Sequence, residues 1–185
     1  MDRRNFEFIS GSLCLDFVDT LGNRRAEPAE HLVTSGDLDR WLDAARLVCP
    51  FRKRATLANL ADARELRGAI YRLALTAIDG TAAATGDVKI INRWSVQMPL
   101  RPVIKGVHFE LEASHPVKAA FSTIAADAVE LILGERRSRI RTCPECRLVF
   151  VDTSRPGKRR WCSSASGCGN RAKVREHRAR ANSSL

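Results

Sequence analysis

Cys143-Pro144-Glu145-Cys146 is followed after fifteen residues by Cys162 and after five more by Cys168-Gly169-Asn170-Arg171, and this C-x2-C-x15-C-x5-C spacing decides the fold of the C-terminal part. Two cysteines separated by two residues present their sulfurs together on a tight knuckle, and four thiolates complete the tetrahedron that structural zinc requires. Between them, Arg147-Leu148-Val149-Phe150-Val151 is rich in β formers, and Asp152-Thr153-Ser154-Arg155-Pro156-Gly157 is turn chemistry. Lys158-Arg159-Arg160-Trp161-Cys162 is expected to return as the second strand of a hairpin. From Gly169 nothing breaks a helix before Asn182, so Cys168 falls at a helix N-terminus, where free N–H groups and the dipole favour a thiolate. A redox couple of Cys143 and Cys146 would leave Cys162 and Cys168 unused. Zinc is therefore the expected cofactor, with Cys143, Cys146, Cys162 and Cys168 as ligands, stapling a unit too short to build its own core.

Charge divides the chain at the same place. Of 185 residues, 31 are Lys or Arg and 21 Asp or Glu. Residues 1–135 hold 17 basic and 18 acidic side chains, a net −1, and residues 136–185 hold 14 and 3, a net +11. The expected domains are thus 1–135 and 136–185, with Glu135-Arg136-Arg137-Ser138-Arg139 as the nearest thing to a linker. A +11 segment of this length attracts nucleic acid, an anionic surface or an acidic protein. With 44% apolar residues the chain is globular, and no long uncharged apolar stretch argues for a membrane span. The mixed charges of Met1-Asp2-Arg3-Arg4 do not read as a secretory signal, so a reducing cytoplasm is expected.

The first 135 residues read as a helix-rich α+β domain. Phe6 to Ile9 and Ser12 to Leu15 flank Gly11 as a strand pair or a strand entering a helix. A helix is expected over Asp37 to Val48, stopped by Pro50, and a longer one carries Leu66, Ile70, Leu73 and Ala77 on one face before Gly80. A shorter helix starts near Asp87. Val107, Phe109 and Leu111 alternate with His108, Glu110 and Glu112, predicting a hairpin that turns at Lys105-Gly106 onto Val103-Ile104, with Pro102 at an edge. After Pro116, residues Val117, Phe121, Ile124, Ala128 and Leu131 share a helical face that ends at Gly134.

No catalytic constellation emerges. Asp16 and Asp19 could share a helix face, but they lack a nearby His, Cys or metal cluster and read as helix-start residues. His31, His108 and His115 are isolated; Cys14 and Cys49 stand alone in apolar surroundings, where thiols are inert. The chemistry instead lies on the closing helix. At about 100° per residue, Cys168, Ala172 and Ala179 group within about 40°, and Asn170, Lys173, His177 and Arg180 within about 80° on the far side. Small residues are expected to face the metal and polar, mostly basic ones the solvent. Lys158, Arg159, Arg160, Asn170, Arg171, Lys173, Arg175, His177, Arg178 and Arg180 are the expected contacts to duplex DNA, with the cations on phosphates.

Cys168-Gly169-Asn170-Arg171, preceded by Arg160-Trp161-Cys162, resembles the CGNR zinc-finger family, and Gly11-Ser12-Leu13-Cys14-Leu15-Asp16-Phe17-Val18-Asp19-Thr20 resembles the opening of the ABATE domain that accompanies that finger. The resemblance implies a treble-clef-type finger with those four cysteine ligands, DNA binding, stress-induced transcription regulation in bacteria, and an N-terminal domain that binds an unknown small-molecule ligand. Asp19 stands where the family often has Asn, and one residue more than is common separates the last two cysteines. The expected protein is a non-enzymatic, zinc-dependent DNA-binding regulator whose N-terminal domain senses or dimerises, since one recognition helix specifies only a few base pairs. The alternatives are an RNA-binding or ribosome-associated zinc protein, and a small-molecule enzyme localised by the finger. Phe150 and Trp161, the only aromatic residues of the last 50, offer no evident base-stacking platform.

Overall fold

The computed structural model describes residues 6–47, 54–163 and 166–182. Its N-terminal part is a helical assembly of α1 (Leu13–Val18), α2 (Ser35–Ala44), α3 (Leu57–Asp79), α4 (Thr85–Ser95) and α5 (Pro116–Leu133). The helices begin where the sequence supplies caps. Thr34 and Asp37 form a reciprocal capping box at α2, Thr56 and Asn59 do the same at α3, and Pro116 opens α5. Leu66, Ile70 and Leu73 of α3 meet Phe121, Ile124, Ala128 and Leu131 of α5 in one core with Phe17 and Trp41. The Phe17 and Trp41 rings lie 4.9 Å apart, and Trp94 of α4 meets Phe121 edge-on at 5.0 Å.

Among the described residues, three antiparallel two-stranded ladders join the helices. β1 (Leu21–Gly22) and β2 (Ala29–Glu30) are too short to leave a period in the sequence. β3 (Arg101–Lys105) and β4 (His108–Glu112) form the expected hairpin, in which Ile104 faces Phe109 and Val103 faces Glu110. β5 (Ile140–Thr142) pairs with β6 (Val149–Val151). The fold is α+β, helix-rich, with small hairpins and a C-terminal cysteine cluster beside α6 (Cys168–Asn182).

Several expectations change. Residues 6–9 form no strand; Gly11, at φ +80°, turns the chain into α1 instead. α2 starts two residues earlier than expected and ends at Ala44; Cys49 and Pro50 lie outside the described residues. Lys158 to Cys162 is not a strand. The partner of β6 is the strand before the knuckle, because the Cys143-to-Cys146 turn is itself the hairpin bend: the Cys143 N–H donates to the Leu148 carbonyl at 2.8 Å, and Arg147 adopts φ 64°. After β6, Asp152 accepts the backbone N–H groups of Ser154 at 2.9 Å and Arg159 at 2.8 Å, and this holds the following segment as a loop. Hydrogen bonding from Ser154, its side chain first, and from the Arg159 N–H keeps the buried Asp152 carboxyl down at about 2.

Glu135–Arg139 is a 3-10 turn rather than an open linker. The hairpin that follows is built into the helical part, with Ile140, Val149 and Val151 in the large core. The Val151 N–H donates to the Ser10 carbonyl at 2.7 Å, and a side chain at Gly11 would press on Val151. Arg136 reaches the Gly11 carbonyl at 3.3 Å and lies 3.8 Å from Asp127, which also accepts from the Ser12 hydroxyl and the Cys14 N–H. Among the described residues no helix is long and apolar enough to cross a membrane.

Candidate metal centre and basic face

Strand alternation divides the β5–β6 hairpin between two cores. Val149 and Val151 point into the helices, while Phe150 points the other way and packs with Cys143, Cys162 and Cys168. Cys143 and Cys146 come from the knuckle, Cys162 from the loop and Cys168 from the first turn of α6. Their sulfurs all lie within 4.8 Å of one another, with Cys146–Cys162 and Cys162–Cys168 both at 3.7 Å. A tetrahedron with metal–sulfur bonds of about 2.3 Å has sulfurs about 3.8 Å apart, so the donor set fits a zinc-sized ion.

The electrostatics suit a cation. Hydrogen bonding from Cys146 and then Cys162 holds the Cys143 thiol far below the ordinary thiol range, while Cys146 is pushed up by its hydrogen bond with Cys143. Four thiols at this spacing cannot ionise together unless positive charge is placed among them. Arg171 supplies part of it: its guanidinium donates to the Cys168 sulfur at 3.1 Å and to the Ser166 carbonyl at 2.8 Å. Gly169 lets the Trp161 ring approach closely: a Cβ there would sit 3.2 Å from the ring, which would have to shift. The tetrapeptide thus provides a sulfur of the cluster, a contact surface for Trp161, an exposed Asn170 and an arginine turned back on that sulfur.

The family model described as "Putative stress-induced transcription regulator", ABATE, matches residues 11–135, and the CGNR zinc-finger model matches residues 139–181. The chain belongs to the ABATE family. No curated protein matches it. The CGNR zinc finger carries the four-cysteine cluster, and the ABATE part carries the helical core against which that finger is packed.

The ten side chains expected to meet DNA fall into distinct environments. Arg171 is committed to the cysteine cluster, and Arg175 forms a bidentate pair with Glu145 at 2.8 and 2.7 Å. That pair holds the Glu145 carboxyl below its usual range. Arg159 lies 4.3 Å over the Phe150 ring, and Arg160 lies 5.0 Å over Trp161. Asn170, Lys173, His177, Arg178 and Arg180 are exposed along α6, as is Lys158 in the loop. Ala172 is buried against the finger as expected, but Ala179 is exposed because the helix has by then run past the small core. Ile9, Arg159, Trp161, Gly169, Asn170 and Lys173 line an open groove of about 760 Å³ beside the first half of α6.

Sequence reading missed two supports. Arg171 stands three residues after Cys168, the spacing at which helical side chains meet, so that contact had a local signal. Arg25, in the β1–β2 loop, donates to the Pro144 carbonyl of the knuckle at 2.6 Å, a contact across 119 positions that leaves no local trace. Asp16 does lie in the first turn of α1, where it is buried and accepts the Ser10 N–H at 2.8 Å while Ser12 occupies the N-cap position; Asp19 is instead the C-cap residue, at the other end of the helix. Burial pushes the Asp16 carboxyl up to about 6 and that of Asp19 up to about 7.

Proposed function

We propose that the protein is a zinc-dependent, DNA-binding transcription regulator in which α6 and the loop before it contact duplex DNA and the ABATE domain senses a small molecule. The observation that carries this reading is the pairing of a sulfur cluster of zinc dimensions with a basic face on the same short unit. The zinc fixes the start of α6, and the helix presents Asn170, Lys173, His177 and Arg178 to solvent beside the groove. In this reading the cations neutralise phosphates, and Asn170, exposed on the same helix, reaches a base edge or a backbone oxygen. Cys143, Cys146, Cys162 and Cys168 hold the ion, and its role is structural: it ties knuckle, loop and helix together.

The 1–135 and 136–185 division is functional, with the two units joined through the hairpin they share. The Arg25 contact to the knuckle and the Arg136 contact to Gly11 connect the ABATE loops directly to the finger. A ligand that moves the β1–β2 loop therefore acts on the metal knuckle without crossing a flexible linker.

Selection of duplexes from a random pool by the zinc-loaded chain, with a chelated sample alongside, tests this function. Enrichment of a motif that chelation abolishes is the expected result. With about five phosphates neutralised, log affinity falls with log salt at a slope near −5. A slope near zero, or tighter binding to structured RNA at equal salt, overturns the DNA reading.

A further inference from the structure

The turn Ser154-Arg155-Pro156-Gly157 and the 3-10 turn before β5 bring cations together and leave them without carboxylates. The Gly157 N–H donates to the Ser154 carbonyl at 3.1 Å and closes the first turn, with Arg155 exposed at its corner and Lys158 exposed directly after it. Arg139, at the end of the 3-10 turn, lies against the same place: its Nη1 donates to the Ser154 carbonyl at 3.1 Å, and its own carbonyl accepts the Asp152 N–H at 2.8 Å. Gly157 makes room for it, since this residue holds φ +64° and a Cβ on it would collide with Arg139 Nη1. Among the described residues none of these three cations forms an ion pair. Asp152, at the start of the loop, is buried and turned to the N–H groups of Ser154 and Arg159, whereas Arg136, three residues before Arg139, does face Asp127. Like charges gathered in this way repel one another until an anion lies among them.

We infer that Arg139 and Arg155, with Lys158, form a second phosphate-contact site for duplex DNA, so that the footprint extends from α6 to the start of the loop that carries Cys162; this rests on the DNA reading above. Neither Arg139 nor Arg155 is among the ten contacts expected from the sequence. A guanidinium offers a planar fork of N–H donors that matches phosphate oxygens, and Arg139, half-buried and held at Ser154, keeps its charge in a fixed place. The surroundings select the partner. Between positions 134 and 173 no large apolar side chain is exposed among the described residues, so this surface offers neither the anchor of a protein interface nor a wedge for a lipid surface. Distance selects the same duplex that α6 meets. Five residue steps lead from Gly157 to Cys162, at most about 18 Å of chain, and the Cys162 sulfur lies 3.7 Å from that of Cys168 at the start of α6. With α6 in a major groove about 12 Å wide, the cluster is close enough to meet the phosphates along its edge.

Duplex binding by the full zinc-loaded chain, followed over a series of salt concentrations, decides the matter. Arg155→Gln makes the slope of log affinity against log salt shallower by about one, and Arg139→Gln with Arg155→Gln by about two, with the loss spread evenly over duplex sequences. Arg139→Lys keeps the charge and the wild-type slope, which separates a phosphate contact from mere support of the loop. Lys118→Gln, exposed on α5 of the ABATE part, leaves the slope unchanged. Zinc content and melting temperature are read for every variant. If Arg139→Gln alters either, Arg155→Gln alone decides, because the Arg155 side chain has no partner among the described residues. A wild type whose slope Arg155→Gln leaves unchanged, or an equal loss in Lys118→Gln, overturns the inference and leaves the DNA reading standing. A wild type with no salt-dependent duplex binding overturns both.

Discussion

The two cores of this molecule are held by different physics, and one hairpin belongs to both. The ABATE core is a continuous apolar volume in which Phe17, Trp41, Ile70, Phe121 and Leu131 are fully buried on four different helices. The finger core is four cysteines and Phe150, with Leu148 and Trp161 packed at its edge. The first loses stability in proportion to the apolar volume removed; the second is lost as a unit when one ligand goes. Because Val149 and Val151 sit in one core and Phe150 in the other, loss of a metal is expected to spare β6 and to release α6.

Removing the metal is the strongest test of that asymmetry. Cys162→Ala, or a strong chelator, is expected to release the finger at a cost on the order of 10 kcal/mol of metal-linked stability and to abolish duplex binding. The apolar core should still melt cooperatively, as followed by near-ultraviolet circular dichroism of its tryptophans. Retained binding under chelation would show the basic segment acting as an unstructured polycation.

Matched truncations sharpen the comparison at the next scale. Phe121→Ala should cost about 3–5 kcal/mol of global stability in a denaturant melt and leave zinc affinity nearly unchanged. Phe150→Ala should do the reverse, releasing zinc to a competing chelator much faster while shifting the main transition less. Equal effects on both readouts would mean that the two cores unfold as one.

Titration separates the regions on a smaller scale. Burial raises the carboxyls of Asp16 and Asp19 above their ordinary value of 3.8, so the native state holds protons that the unfolded chain has released. The stability this lends is complete below about pH 4 and is lost as pH rises through about 6 for Asp16 and about 7 for Asp19. Asp19→Asn should therefore raise the melting temperature at pH 8 by a few degrees, about 1 kcal/mol after allowance for solvent at a half-buried side chain, and by less at pH 4. The smallest effect is expected at the basic face, where Lys173→Gln should leave stability unchanged and reduce the salt slope of duplex binding by about one.

Local pattern determined much of this protein. The spacing of Cys143, Cys146, Cys162 and Cys168 marked a metal site because ligand chemistry needs few residue types at short separations. The faces of α3 and α5 and the β3–β4 hairpin were legible because periods of 3.6 and 2 persist over several turns or residues. Tertiary structure decided what local pattern does not encode. The pairing of β6 with Ile140–Thr142 rather than Lys158–Cys162 follows from the knuckle bend and from Asp152 holding the next loop. Arg171 turns toward Cys168, and Arg175 toward Glu145, because α6 docks beside the knuckle; composition alone counts both simply as surface cations. The joining of finger and helices rests on Ser10, Gly11, Arg25 and Arg136, residues more than a hundred positions from their partners or unremarkable in their own neighbourhoods. Short-range sequence records which side chains prefer water and which chelate, whereas the burial of one strand between two cores exists only once the chain has closed on itself.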